Sequence, residues 1–386
     1  MIFAFVTFIV MVLVEAAVAD SRPSLAEELQ QVLDTELVNH NGIGVSAAVI
    51  IPGRGPWLGA SGVSHESTSI SPDMLFGIGS ITKNFMTALI LQLAEEGKLS
   101  LEDQLNQYLP DYANINNTIT IRQLLNHTSG VYNITEYPSM WDTIFANPLK
   151  IWTPEELLTS FVSQPYFPPG TGWHYSNTNY TLLGMIVEAV TESKVSAELR
   201  NRFWTPLGLT GTFLDIEESP VGVFAHRWYD FNEDGTPEEM LLLFRMSEFS
   251  AYWTAGAMFS TAEDVAKWSH ALFRGNVLSR ASLDQMLTFH SPTPGEPQMI
   301  GYGLGTLKFA PELMAGEEAY GHGGWVFGYS SAMAFLPDYN VSISILLNLN
   351  NEDCLAAIAS GFVEVIKDYL SHSKSMPWIP LLLLDN

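Results

Sequence analysis

The sequence predicts an α/β fold: an antiparallel sheet flanked by helices in a three-layer sandwich, with a mostly helical region inserted between its halves. Three observations predict it. Apolar, β-branched runs punctuated as hairpins stand near both ends of the chain. Segments of helical period fill the middle. The 386 residues, 47% of them hydrophobic, are enough to bury a sizeable core.

In chain order, Met1 to Val14 is almost wholly apolar, and Ala17-Val18-Ala19 supplies the small residues of a signal-peptidase site before Asp20. A leader over residues 1–19 is expected, and with it a secreted or periplasmic protein. The n-region lacks a basic residue, which leaves an uncleaved anchor as the alternative, although 14 apolar residues are short for a bilayer span. Ser24 then reads as the N-cap of a helix to Asn39, with Leu25, Leu29, Val32, Leu33 and Leu37 at three-and-four spacing. Gly44 to Ile51 and Trp57 to Val63 read as strands joined by the turn Pro52-Gly53-Arg54-Gly55-Pro56. Helices are expected over Ser80 to Glu96, Ile121 to Asn126, Pro154 to Val162, Asn179 to Val190, Pro206 to Leu209 and Thr261 to Phe273. Tyr329 to Leu336 and Val341 to Leu349 form a second hairpin about Pro337-Asp338-Tyr339-Asn340, and Glu352 to Tyr369 a closing helix. The expected organisation is one large domain over residues 20–372. Its α/β parts lie near 24–95 and 300–370, its helical region spans about 96–299, and a tail covers 373–386.

Composition excludes several classes of function. Lys and Arg total 17 against 42 Asp and Glu, a formal charge of −25 that repels nucleic acid and anionic membranes. With Cys354 as the only cysteine, no intramolecular disulfide forms and no lipid-bearing Cys follows the leader. No metal-ligand cluster or phosphate-binding loop stands at recognised spacing, so no cofactor is implied. Asn-x-Ser/Thr sequons occur at Asn116, Asn126, Asn133, Asn179 and Asn340; such tripeptides also recur by chance.

The chemistry begins at Gly77-Ile78-Gly79-Ser80-Ile81-Thr82-Lys83. A serine opening a helix lies where free N–H groups and the helix dipole favour a developing alkoxide, and Lys83 is one turn on, on the same face. A lysine whose pKa is lowered by burial can take the serine proton. A second Ser-x-x-Lys, Ser371 to Lys374, falls in the polar tail and carries no reading. Tyr175-Ser176-Asn177 follows a Pro- and Gly-rich approach; a tyrosine relays protons and an asparagine amide orients a lysine or a substrate carbonyl. Tyr112-Ala113-Asn114 repeats the pattern in an acidic segment and reads as a solvated turn. In Tyr320-Gly321-His322-Gly323-Gly324-Trp325, the glycines let a substrate approach the backbone, and His322 is able to donate a hydrogen bond or to titrate near neutrality. A charge change near pH 6 to 7, by its unperturbed tendency of about 6.5, is the expectation for that ring.

Taken in order, Ser80-x-x-Lys83, Tyr175-x-Asn177 and His322-Gly323-Gly324 resemble the three motifs of the serine β-lactamase and penicillin-binding-protein superfamily. The nearest branch holds class C β-lactamases, D-alanyl-D-alanine carboxypeptidases, D-aminopeptidases and β-lactamase-fold esterases. Leu89 to Pro110, Ile121 to Gly130, Asn201 to Thr212 and Thr254 to Val265 extend the resemblance over roughly residues 25 to 370. It implies a secreted serine hydrolase acting through a Ser80 acyl-enzyme on amide, peptide or ester bonds. Catalysis would fall to Ser80, Lys83, Tyr175 and His322, and substrate binding to Asn177, Gly323, Gly324 and Trp325. The backbone N–H groups of Ser80 and Trp325 would form the oxyanion hole, and either Lys83 or Tyr175 would be the base. The partner would be a small molecule or peptide, with no nucleic acid and no membrane span after leader removal. The alternatives are a carboxylesterase or D-aminopeptidase, and a non-catalytic module that binds or assembles. Departures bear on the substrate: Gly323 and Trp325 stand where carboxypeptidase-like members carry hydroxyl residues. A carboxylate-binding arginine is commonly found near Thr306-Leu307-Lys308, where Lys308 is the available cation. Tyr132, Trp141 and Trp253 are candidate wall residues, or equally core aromatics.

Overall fold

A computed structural model of the chain describes residues 23–240, 244–290 and 298–375. The expected leader, residues 1–19, lies outside them, as do residues 376–386 of the expected tail. The first helix, α1 (Leu25–Asn39), starts as its sequence dictates. The Ser24 side chain accepts the Glu27 N–H, the Glu27 carboxylate accepts the Ser24 N–H, and Leu29, Leu33 and Leu37 are buried along one stripe.

Three strands follow, β1 (Gly44–Ile50), β2 (Trp57–His65) and the short β3 (Thr68–Ser69). The inserted region carries α2 (Thr82–Glu95), α3 (Asn177–Thr191) and α4 (Ala262–Phe273). The chain then returns to the sheet through β4 (Met299–Tyr302), β5 (Leu307–Phe309), β6 (Tyr320–Val326), β7 (Tyr329–Leu336) and β8 (Val341–Leu347), and closes with α5 (Glu352–Ser375). The sheet order is β3-β2-β1-β8-β7-β6-β5-β4, antiparallel throughout. The first and last parts of the chain meet at its centre, where Val45 pairs with Leu347 and Val49 with Ile343.

The expected sandwich is thus what the chain builds. Val45, Ala47, Val49, Ile343 and Ile345 bury one face of the sheet against α1 and α5. Ala48, Leu346, Met333 and Phe335 bury the other against the helical region, where Phe85 of α2 stacks on Trp268 of α4 at 4.0 Å. Because both faces are covered, β8 is buried at every position, and its serines, Ser342 and Ser344, are inside with its isoleucines.

Several elements depart from the expectation. Helices at Met140–Phe145, Val195–Leu199, Arg245–Tyr252 and Arg280–Met286, and strands β4 to β6, were not marked by periodicity. Segments this short give too few repeats to read, and the glycines of β6 carry no strand signal. The closing helix runs on to Ser375, past Tyr369. Ser371 therefore sits on an exposed turn of α5, its hydroxyl donating to the Asp368 carbonyl, and not in an irregular tail. Tyr112 is not a solvated turn residue either; it packs partly buried against the helical core. Of the five sequons only Asn116 and Asn340 present an exposed asparagine, since Asn126, Asn133 and Asn179 are buried.

Candidate active site

The site forms where the N-terminal end of α2, the start of α3 and strand β6 converge. Ser80 lies in one turn of 3₁₀ helix, Gly79–Ile81, immediately before α2. Gly79 takes φ +51°, and a Cβ there would lie 2.5 Å from the Trp325 nitrogen, so the turn requires glycine on two counts. The Thr82 hydroxyl donates to the Gly79 carbonyl at 2.7 Å and closes the turn.

Lys83, one helical turn further, is fully buried, and its Nζ lies 2.9 Å from Ser80 Oγ, 2.7 Å from Asn177 Oδ1 and 2.6 Å from the Ala255 carbonyl. Burial pushes its pKa well below the ordinary lysine value. A neutral amine has two N–H bonds and one lone pair. As an ammonium, Nζ donates to all three oxygens; Asn177 and Ala255 offer only acceptors, so a Lys83 that has given up a proton keeps its two N–H bonds on them and turns its lone pair to the Ser80 hydroxyl. On the other side of Oγ, the Tyr175 hydroxyl donates at 2.8 Å. Asn177 opens α3 and is held from behind. Its backbone N–H donates to Asn133 Oδ1 and its Nδ2 to Thr135 Oγ1, both at 3.0 Å, which turns its oxygen toward Lys83. Asn133, Thr135 and Ala255 are supporting residues to which the sequence assigns no part in the site; Thr135 and Ala255 lie in single 3₁₀ turns, Ile134–Glu136 and Trp253–Ala255, too short to carry a period.

Strand β6 forms the far wall. Gly324 must be glycine, because a Cβ there would meet the Ile78 carbonyl at 2.0 Å and Ser331 Oγ at 2.3 Å. Gly323 is different: its Cβ would meet nothing nearer than the Ser331 carbonyl at 3.8 Å, so the missing side chain leaves open space. Trp325 brings its backbone nitrogen beside the Gly79–Ser80 turn, while its ring is 38% exposed and edges against Phe327. The β6–β7 turn is pinned from beneath. Arg227 pairs with Glu248 at 2.6 Å, both buried, and also donates to the Phe327 carbonyl at 3.0 Å. Removing one partner of a buried pair costs about 3–5 kcal/mol, against about 1 kcal/mol or less for a surface pair.

His322 corrects the expectation of a neutral-range titration. The ring is buried, and burial, followed by the nearby Lys83 charge, pulls its pKa down to about 3. It therefore stays uncharged across the physiological range. Its Nε2 lies 3.1 Å from the Tyr302 hydroxyl and its Nδ1 2.5 Å from the Gly323 carbonyl.

A cavity of about 660 Å³ opens at Ser80, Tyr175, His322 and Trp325 and continues over Gly323 to an apolar wall that includes Leu307, Phe309 and Leu355. The three candidate wall aromatics are elsewhere. Trp253 is buried and donates to Glu217, Trp141 packs among Phe145, Tyr252 and Phe327, and Tyr132 stacks on Tyr166. Lys308 is not at the cavity either; it is paired with Glu318 at 3.0 Å. Among the described residues, no group of His, Cys, Asp and Glu is arranged to hold a metal ion, and no helix is long and apolar enough to cross a membrane.

With this geometry in hand, comparison with known proteins places the chain. The family described as Beta-lactamase matches residues 25–360. A D-stereospecific amidohydrolase from Streptomyces sp. superposes with a TM-score of 0.76 at 30% identity, covering 89% of this chain and 99% of that one. D-amino acid amidase from Ochrobactrum anthropi SV3, complexed with L-phenylalanine amide, gives 0.79 at 26% identity, over 90% of this chain and all of that one. Penicillin-binding protein 4* of Bacillus subtilis is 28% identical over 295 residues, 73% of this chain and 62% of its own length. The chain thus spans less than two thirds of that curated relative.

Proposed function

Because the chain belongs to the Beta-lactamase family, we propose that it is a serine hydrolase that cleaves amide or peptide bonds through an acyl-enzyme on Ser80. The observation that carries this reading is the position of Ser80 Oγ, 2.9 Å from the desolvated amine of Lys83 and 2.8 Å from the Tyr175 hydroxyl. Lys83 takes the proton as Oγ attacks the carbonyl carbon, since its lone pair faces the hydroxyl. Tyr175 donates to Oγ in the resting state; as the tetrahedral adduct collapses, its O–H passes a proton to the departing nitrogen, and in deacylation the phenolate regains one from the attacking water while Lys83 returns its proton to Oγ. The N–H groups of Ser80 and Trp325 receive the oxyanion, and water then cleaves the ester to free Ser80. His322, Gly323 and Gly324 shape the wall against which the substrate lies, and Asn177 orients Lys83.

Similarity to a D-stereospecific amidohydrolase and a D-amino acid amidase favours amides of D-amino acids as the first substrates to try, ahead of D-alanyl-D-alanine peptides and β-lactams. The test is a panel of D- and L-amino acid amides, a D-alanyl-D-alanine peptide, a penicillin and a p-nitrophenyl ester, with product release followed for each. Turnover of D-amino acid amides is expected; inertness toward every member would favour the non-catalytic alternative. We also read residues 1–19 as a leader that exports the enzyme. The mass of the exported protein should place its N-terminus at Asp20, and retention of residues 1–19 would refute cleavage.

A further inference from the structure

The hydrogen bonds behind the third motif fix where its protons sit. His127 is fully buried, and its Nδ1 receives the backbone N–H of Ser176 at 3.1 Å. A backbone N–H only donates, so Nδ1 is bare, and a neutral ring carries its hydrogen on Nε2. Burial first, and then the charge of Lys83, hold His127 well below the ordinary imidazole range, so neutral is its resting form. Its Nε2–H faces the Tyr302 hydroxyl at 3.1 Å. Tyr302, which also has the Tyr180 hydroxyl as a hydrogen-bond partner, lies 3.1 Å from His322 Nε2, and its O–H is the hydrogen available to that contact when the hydrogen of His322 is on Nδ1. The hydrogen of His322 is on Nδ1, because the Gly323 carbonyl, which only accepts, lies 2.5 Å away, and Nε2 is therefore bare. The two ends are fixed independently, His127 by the Ser176 N–H and His322 by the Gly323 carbonyl, and Tyr302 joins them.

We propose that His127 and Tyr302 lock His322 as an uncharged, Nδ1-protonated ring, and thereby confine the site to acyl donors whose group beside β6 is uncharged: amides and esters over free carboxylates. The locked ring has spent its only N–H on a neighbouring carbonyl and its only lone pair on Tyr302. It offers a carboxylate neither charge nor donor. The rest of the cavity agrees. Among the described residues lining it there is no lysine or arginine, while Glu136, Glu352 and Asp353 stand around it. A carboxylate brought there would lose water without gaining a cation, a heavy cost for an ionised group. His127 and Tyr302 are positioning residues in this scheme; neither touches the reacting atoms. The substrate half of the proposal rests on the acyl-enzyme reading given above, whereas the lock does not.

Two measurements on the full chain separate those halves. In protein labelled with ¹⁵N-histidine, one- and two-bond correlations should show His127 protonated at Nε2 and His322 at Nδ1, unchanged from about pH 5 to pH 9. Titration of His322 in that range, or a hydrogen on its Nε2, overturns the lock. In parallel, kcat/KM is compared for D-phenylalanyl-D-alanine amide and the same dipeptide with a free carboxylate. The amide is expected to be favoured roughly tenfold or more, the scale on which unpaired polar groups are rejected from a closed site. Preference for the free carboxylate overturns the substrate class. Tyr302→Phe removes the link without changing bulk; it should release the His322 tautomer and shrink the amide preference. If that variant does not fold, the wild-type tautomers still decide the lock. Failure to cleave either dipeptide, with both tautomers as stated, would overturn the acyl-enzyme reading and the substrate class together, and leave the lock standing.

Discussion

Replacing Ser80 by alanine is expected to lower hydrolysis on the order of 10⁴-fold or more, with the fold intact. The structural cost is small because Oγ bonds only the two groups that would activate it, Lys83 Nζ and Tyr175 Oη. Losing those contacts is worth about 1–3 kcal/mol at most, and the 3₁₀ turn itself is held by the Thr82 hydroxyl and by Gly79, neither of which changes. The wild-type protein, incubated with a fluorescent penicillin or a reactive ester, should gain the mass of one acyl group on the peptide containing Ser80. The alanine variant should gain none. An adduct mapped to any other residue would end the assignment of Ser80 as nucleophile.

Lys83→Ala and Tyr175→Phe are each expected to slow acylation by roughly a hundredfold or more, the usual scale for positioned acid–base groups. The double variant should lose far less than the product of the two, because both act on one oxygen within one proton pathway. Multiplicative losses in the double variant would mean that one of them is only structural. The acid limb of the pH profile should report Lys83. Its pKa lies well below the ordinary lysine value, so it is the neutral, proton-accepting form that is lost as pH falls through the lowered value. With a pKa near 3, His322 has no part in that limb at neutral pH, and His322→Gln should leave its midpoint in place. A midpoint that moves with His322→Gln would return the titration to the histidine.

Much of the fold is legible in the sequence because its outer elements are long and regular. The N-cap at Ser24, the two hairpins and the closing helix each carry a full period of apolar residues and their own turn signals. The site is legible for another reason: Ser80 and Lys83 share a helix face, and Tyr175 and Asn177 bracket the entry to α3. The first spacing translates directly into the 2.9 Å contact of Lys83 with Ser80, whereas the 2.7 Å and 2.8 Å contacts of Lys83 with Asn177 and of Tyr175 with Ser80 are made by the fold between the two motifs. What sequence spacing does not reveal is environment. The pKa of His322 depends on burial and on Lys83, 239 positions away in sequence, and the tautomer of His127 on a Ser176 N–H from another loop. Trp141 and Trp253 look like any cavity-wall tryptophan until packing buries Trp253 and sets Trp141, partly buried, among Phe145, Tyr252 and Phe327. A bulky residue has no sequence mark that says which face of a loop it occupies.

The pairing of β1 with β8 also governs how the chain comes together. Val45 and Leu347 are roughly 300 residues apart, so the central rung of the sheet is made by segments synthesised tens of seconds apart at about 5–20 residues per second. Contacts so distant in sequence carry a large closure entropy and make folding slow. Until β8 is released, β1 has an open edge of seven residues able to pair with another chain. The same delay applies to Ser80, which leaves the ribosome with the early half, whereas Gly324 and Trp325, which press against its turn, come with the late half. Ser80, the proposed nucleophile, is therefore present in the nascent chain long before the β6 wall exists.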